Sequence, residues 1–146
     1  MIIQSYTVSF LQQLLEGVHD FRAVGGDTFK LALYEESANL DVYTTEYTSV
    51  GEVVASGYTA GGITLTNINP SIYGLSAIAD FDDVSWTAEI VARGGLIYNT
   101  TPAHTYSNAS CFVLDFGMNR LSTDGIFRIQ FPLATDATAI LRLSAV

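Results

Sequence analysis

The stretch Gly125-Ile126-Phe127-Arg128-Ile129-Gln130-Phe131 alternates between apolar and polar residues from Phe127 onward. In an extended chain Phe127, Ile129 and Phe131 point to one side. Arg128 and Gln130 point to the other side. This period of two is typical of a half-buried β-strand. The same pattern recurs at residues 28–34 and 84–90. We therefore expect each of these strands to present one face to a hydrophobic core.

Short apolar segments of this kind, separated by glycine, proline or small polar residues, fill the chain from Thr28 to its end. The predicted strands are Thr28–Tyr34, Gly51–Ala55, Ile63–Asn67, Ser76–Phe81, Val84–Arg93, Gly95–Asn99, Ser110–Phe116, Gly125–Phe131 and Ala139–Leu143. Their spacing favours a mainly β fold, an antiparallel β-sandwich or jelly roll. No helix-length pattern alternates with the strands, which disfavours a parallel, doubly wound sheet.

One short α-helix is predicted from Ser9 to Val18, where apolar residues recur at helical spacing. The apolar positions are Phe10, Leu11, Leu14, Leu15 and Val18, and the polar positions expected to face away are Gln12, Gln13 and Glu16. The helix either packs on the core or docks on a neighbouring subunit, with Phe10 and Leu14 as interface candidates. We predict a single β-sandwich domain over residues 1–146, with residues 1–24 as an N-terminal helical arm.

The composition limits the classes of partner. Hydrophobic residues make up 49% of the 146 residues, and charged residues only 14%, against about 25% in typical soluble domains. A surface this poor in charge suggests that partners cover part of it. The 15 Asp and Glu outnumber the 6 Lys and Arg, for a formal charge of −9. Because phosphate binding needs clustered cations, neither nucleic acid nor an anionic membrane is an expected partner.

Residues that could carry chemistry are sparse. The two histidines, His19 and His104, are far apart in sequence, and no Gly-x-Ser-x-Gly motif is present. The acidic cluster Asp80-Phe81-Asp82-Asp83 lacks the spacing of an EF-hand loop. Cys111 is the single cysteine and cannot form an internal disulfide. We therefore predict a protein that is not an enzyme, with no catalytic residue, no metal site and no cofactor.

The residues predicted to make contacts are three loop tyrosines and one arginine. Tyr43 and Tyr47 fall in the long loop 35–50, and Tyr106 falls in the loop 100–109. Tyrosine suits protein interfaces and sugar stacking because it combines a large apolar ring with a polar tip. Arg93 follows an apolar strand and is predicted to meet a carboxylate such as Asp80 or Asp115. If that pair were buried, losing one partner would cost about 3 to 5 kcal/mol.

Several segments resemble a group of small structural proteins of tailed-bacteriophage virions, and the resemblance covers nearly the whole chain. They are Gly17-Val18-His19-Asp20-Phe21, Gly26 to Tyr34, Gly57 to Gly62, Ala92 to Asn99, Val113 to Gly117 and Phe131-Pro132. The resemblance implies a non-enzymatic virion component, assembled in the host cytoplasm. Its implied partners are other virion proteins, either the major capsid protein or tail components.

Two hypotheses follow from the resemblance and the composition. The first is a homo-oligomeric capsid decoration, or cement, protein that stabilises the head by binding capsid subunits and its own copies. The alternative is a tail, neck or fibre component that carries a receptor- or glycan-binding module, using Tyr43, Tyr47 and Tyr106.

Overall fold

A computed structural model describes residues 1–101 and 105–146, and it confirms the predicted mainly β, antiparallel fold with one short helix. The elements are β1 (Ser5–Tyr6), α1 (Val8–Leu15), β2 (Phe29–Tyr34), β3 (Ile63–Thr64), β4 (Asn67–Tyr73), β5 (Ser76–Phe81), β6 (Val84–Thr87), β7 (Val91–Asn99), β8 (Ala109–Leu121), β9 (Ile126–Ile129) and β10 (Leu141–Ser144). His104, one of the two histidines considered as residues that could carry chemistry, lies outside the described residues.

The strands form three antiparallel sheets. The largest has the order β1-β8-β7-β2-β3, the second has the order β10-β5-β4, and β6 pairs with β9. Their apolar side chains meet in one main core, where Phe29 and Phe112 come from the first sheet, Phe81 from the second and Trp86 from the third. The sheets therefore pack across a shared core in a sandwich-like arrangement.

The central strands are buried on both faces, which corrects the expectation of a single buried face. In β2, Leu31 and Leu33 point into the main core, whereas Ala32 and Tyr34 belong to a second cluster behind the sheet. Residues 38–47 and the first residues of the chain cover that second face, and Ile2 and Leu40 are buried there. Because of this cover, only Lys30 of the six β2 residues is not fully buried.

Several strand boundaries differ from the prediction. The segment Val84–Arg93 divides into β6 and the start of β7, because the chain leaves the two-stranded ribbon and enters the large sheet. The segment Gly51–Ala55 is not a strand, and within it Glu52 makes only an isolated bridge to Tyr34. The strands β1 and β4 were not predicted.

The helix α1 begins and ends one to three residues before its predicted bounds. Thr7, rather than Ser9, is the N-cap, and its side chain accepts a hydrogen bond from the Phe10 amide. Gly17 follows the helix with a φ of +74°, a left-handed conformation that glycine adopts without steric cost.

The predicted N-terminal arm is anchored to the rest of the chain at several points. The strand β1 pairs with β8, and Phe10 and Phe21 are buried in the main core. The Tyr6 hydroxyl donates a hydrogen bond of 3.0 Å to the carbonyl of Ile140. Within the described part of the chain, no helix has the length and apolar character needed to cross a membrane.

Candidate docking surface

The outer side of α1 carries an exposed ridge of aliphatic side chains. Val8, Leu11 and Leu15 follow one another at i, i+3 and i+7, so they share one side of the helix. All three are exposed, and Leu15 is 92% exposed. On the opposite side Phe10 and Gln13 are buried. An aliphatic ridge that faces water on a helix already anchored to a core is typical of a contact surface.

Two of the predicted interface tyrosines flank this ridge. The amide of Val8 donates to the carbonyl of Val42, which places Tyr43 beside the start of α1, and its side chain is 78% exposed. At the other end of the helix, the Tyr106 hydroxyl donates a hydrogen bond of 2.9 Å to the Glu16 carboxylate. We call the surface formed by Val8, Leu11, Leu15, Tyr43 and Tyr106 the α1 face.

The other predicted interface residues lie elsewhere. Phe10 is fully buried against the Phe112 ring, so its assignment as an interface residue is corrected to a core position. Leu14 is half-buried and packs against the same core. Tyr47 stacks on Tyr98 at a ring distance of 4.8 Å, and its hydroxyl points inward. These three residues support the fold rather than the α1 face.

Tyr47 belongs to a buried network around Glu52. The Glu52 carboxylate accepts hydrogen bonds from the Tyr47 hydroxyl at 2.6 Å, the Tyr58 hydroxyl at 2.7 Å and the Gly61 amide at 2.7 Å. The Tyr58 hydroxyl also accepts a hydrogen bond from the Leu33 amide. The network therefore ties the loop 35–62 to β2.

No cation lies within ion-pair distance of Glu52 in the described residues. Burial and the neighbouring Glu52 charge raise the pKa of Tyr47 to about 12. Desolvation likewise raises the pKa of Tyr58 well above its ordinary value. These hydroxyls stay protonated at neutral pH and remain hydrogen-bond donors to the carboxylate.

A second buried network surrounds His19. The Asn99 side-chain amide lies 3.0 Å from His19 Nδ1 and donates to Asp27 Oδ2 at 2.7 Å. Because an amide nitrogen only donates, His19 Nδ1 accepts, and the ring proton lies on Nε2, 2.7 Å from Gln13 Oε1. This partner explains why Gln13 faces inward, which the sequence pattern did not predict.

The same network approaches the single cysteine. Cys111 Sγ lies 4.0 Å from His19 Nδ1, but the thiol is fully buried and desolvation raises its pKa. A reactive cysteine needs a thiolate with access to solvent. The pairing of Cys111 with His19 is therefore structural and does not form a nucleophile with its base.

Of the two carboxylates predicted as partners of Arg93, the structure pairs it with Asp115. The Arg93 guanidinium binds Asp115, with Nε 2.9 Å from Oδ1, and holds the pKa of that carboxyl below its ordinary value. Glu36 lies farther away, at 3.6 Å. Both side chains of the Arg93–Asp115 pair keep about a quarter of their surface exposed. The pair is half-buried, so we expect the loss of one partner to cost less than the about 3 to 5 kcal/mol of a fully buried pair.

Asp80, the other predicted partner of Arg93, is buried in β5 and forms no salt bridge within the described part of the chain. Its Oδ1 accepts the Phe81 amide at 2.9 Å, while Oδ2 has no hydrogen-bond partner among the described residues. Desolvation raises the pKa of Asp80. Asp82 and Asp83 lie outside the strand and are exposed. In the described residues, no three His, Cys, Asp or Glu side chains converge to hold a metal ion.

We expect Asp80→Asn to stabilise the protein by about 1 kcal/mol at pH 7, because it removes a buried charge that forms no salt bridge among the described residues. An aspartate whose folded-state pKa is raised destabilises the fold at pH values above that pKa. The destabilisation disappears as the pH falls below the unfolded-state value. The gain should therefore shrink between pH 7 and pH 4, as measured by urea unfolding of variant and parent. The exposed control Asp82→Asn should change little at either pH, and a loss of stability in Asp80→Asn at pH 7 would contradict the prediction.

Comparison of the chain with protein-family models, with curated proteins and with solved structures gave no match.

Proposed function

We propose that this protein is a non-enzymatic virion structural protein that decorates a capsid and attaches to it through the α1 face. The observation that carries the proposal is the exposed aliphatic ridge of Val8, Leu11 and Leu15 on an otherwise anchored helix. Nothing on this ridge is charged, so the matching surface on the capsid subunit is apolar as well. The proposal includes a location in the virion, after assembly in the host cytoplasm.

The proposed mechanism is the addition of many modest contacts. Each α1 face buries a small apolar area, and one such contact alone is weak. On a symmetric particle the contact repeats at every equivalent position, and contacts between neighbouring copies reinforce it. The sum stiffens the shell, which is the role of a cement protein.

The test uses Leu11→Asp/Leu15→Asp, which places two charges on the ridge without touching the buried Phe10. We expect this variant to fold normally by circular dichroism but to bind particles at least tenfold more weakly, because the charges would lose water at the contact. Particles assembled with it should release their genome at a lower temperature than particles with the parent protein. Leu133→Asp/Val146→Asp, at two other exposed apolar positions, is the matched control. Undiminished binding by the ridge variant would refute the proposal.

The alternative role, a tail or fibre module that binds a receptor or glycan, is favoured by one observation on the same surface. The Tyr43 ring is largely exposed and free to stack on a sugar. Tyr43→Ala distinguishes the two roles. Loss of adsorption to cells with normal assembly supports the receptor role, and normal adsorption supports the decoration role.

A further inference from the structure

A deep cleft opens on another part of the molecule. Its volume is about 1140 Å³, and it lies between the edge of the large sheet and the segment that begins at β9. Apolar side chains form much of its wall, among them Tyr6, Leu114, Phe116, Ile129, Phe131 and Ile140. An apolar wall of this kind favours ligands with apolar groups that gain from leaving water.

The cleft also concentrates the positive charge of an acidic protein. Arg120, Arg128 and Arg142 line it, which is half of the six Lys and Arg residues in the chain. None of the 15 Asp and Glu residues is among its lining residues. Grouped arginines without carboxylates between them attract anions and raise their local concentration.

The three arginines are not used by the fold as ion-pair partners. Within the described ranges, the salt bridges involve only Arg22 and Arg93. Arg120 and Arg142 donate to backbone carbonyls, of Phe116 and Ala137 respectively. All three side chains are exposed to the cleft or to solvent. Their guanidinium groups therefore keep donors available for a bound carboxylate, which arginine can bind through two parallel hydrogen bonds.

We propose that the cleft binds an extended segment of a partner protein in which Asp or Glu residues alternate with apolar residues. Several carboxylates along such a segment match three separate cations better than the single head group of an anionic amphiphile does. The cleft does not include the α1 face, and the inference holds or fails independently of the virion role.

The test uses the full-length protein and the peptide acetyl-(Asp-Leu)₄-amide. The readout is the fluorescence of Trp86, the only tryptophan, whose ring lies 6.1 Å from that of the cleft residue Phe127. We expect saturable binding that weakens as salt is added. Arg120→Gln/Arg128→Gln should weaken binding at least tenfold, and Arg22→Gln, which removes a cation elsewhere, should leave it within twofold. Peptides with Lys in place of Asp, or Ser in place of Leu, should not bind.

Four outcomes would overturn the proposal. The first is the absence of any fluorescence change with peptide up to about 1 mM, because a dissociation constant above that concentration corresponds to negligible binding. The second is equal binding of the Lys or Ser peptide. The third is tight binding of laurate when the peptide does not bind, which would assign the cleft to an anionic amphiphile. The fourth is self-association that Arg120→Gln/Arg128→Gln abolishes, which would make a second copy the occupant.

Discussion

Replacing Glu52 by alanine is expected to lower the free energy of unfolding by about 3 to 5 kcal/mol, because it removes the acceptor of a buried, charge-assisted network. The hydroxyls of Tyr47 and Tyr58 and the amide of Gly61 would lose their partner in a region that excludes water. A domain of this size is stable by only about 5 to 15 kcal/mol. The variant would therefore lose a large share of its stability.

Two matched variants separate the network from the bulk of the side chain. Glu52→Gln keeps the size and one oxygen acceptor and should cost only about 1 to 2 kcal/mol. Glu46→Ala removes an exposed carboxylate from the same loop and should change stability by at most about 0.5 kcal/mol. Urea unfolding curves measure all three values. A cost below about 1 kcal/mol for Glu52→Ala would show that water replaces the carboxylate, contrary to the prediction.

The second large effect is expected at Gly62, where β3 meets β2. Gly62 has a φ of +81°, and a Cβ built on it would lie 1.8 Å from the Leu31 carbonyl oxygen. Alanine would thus have to push β3 away from β2 and would also adopt an unfavourable backbone conformation. We expect Gly62→Ala to cost about 3 to 4 kcal/mol from these two effects together.

Gly117→Ala is the control for the backbone conformation alone. Gly117 has a nearly equal φ of +77°, but nothing lies within 4 Å of the position where its Cβ would be. This variant should lose only about 1 kcal/mol. Thermal or urea unfolding of the two variants gives the comparison. Equal losses at the two positions would mean that β3 moves freely, and that the contact with Leu31 is not a restraint.

Those parts of the fold whose signals are local could be predicted from the sequence. The strand β5 begins and ends at the predicted residues, Ser76 and Phe81, because Gly74 turns the chain before it and two exposed aspartates follow it. The antiparallel class also follows from local periodicity. The strand β4 was missed because Asn69 and Pro70 read as a turn, although they lie on an exposed edge strand where proline is tolerated.

The features that could not be predicted depend on contacts between distant segments. The helix α1 is oriented by contacts with distant residues, because Phe10 packs on Phe112 and Gln13 bonds to His19. A glutamine is therefore buried while Leu15 is exposed. No periodicity within the helix contains that information. Likewise, the second face of β2 is buried because Ile2 and residues 38–47 pack over it.

The interface role of the loop tyrosines stays a prediction. The structure brings Tyr43 and Tyr106, one from each long loop, beside α1. Tyr47 could not be distinguished from them, because its inward direction depends on Glu52. The ridge of Val8, Leu11 and Leu15 was not predicted as a separate surface. Val8 precedes the predicted helix, and Leu11 and Leu15 were grouped with Phe10 on one apolar side of it.

The buried thiol of Cys111 can serve as a probe of how often the fold opens. Its sulfur lies near the start of the longest strand, wholly shielded from solvent, and its pKa is raised by that burial. A thiol reagent can reach it only when this end of β8 separates from the neighbouring strands β1 and β7. The labelling rate of this one atom therefore reports how often that part of the large sheet opens, in free protein and in any complex it enters.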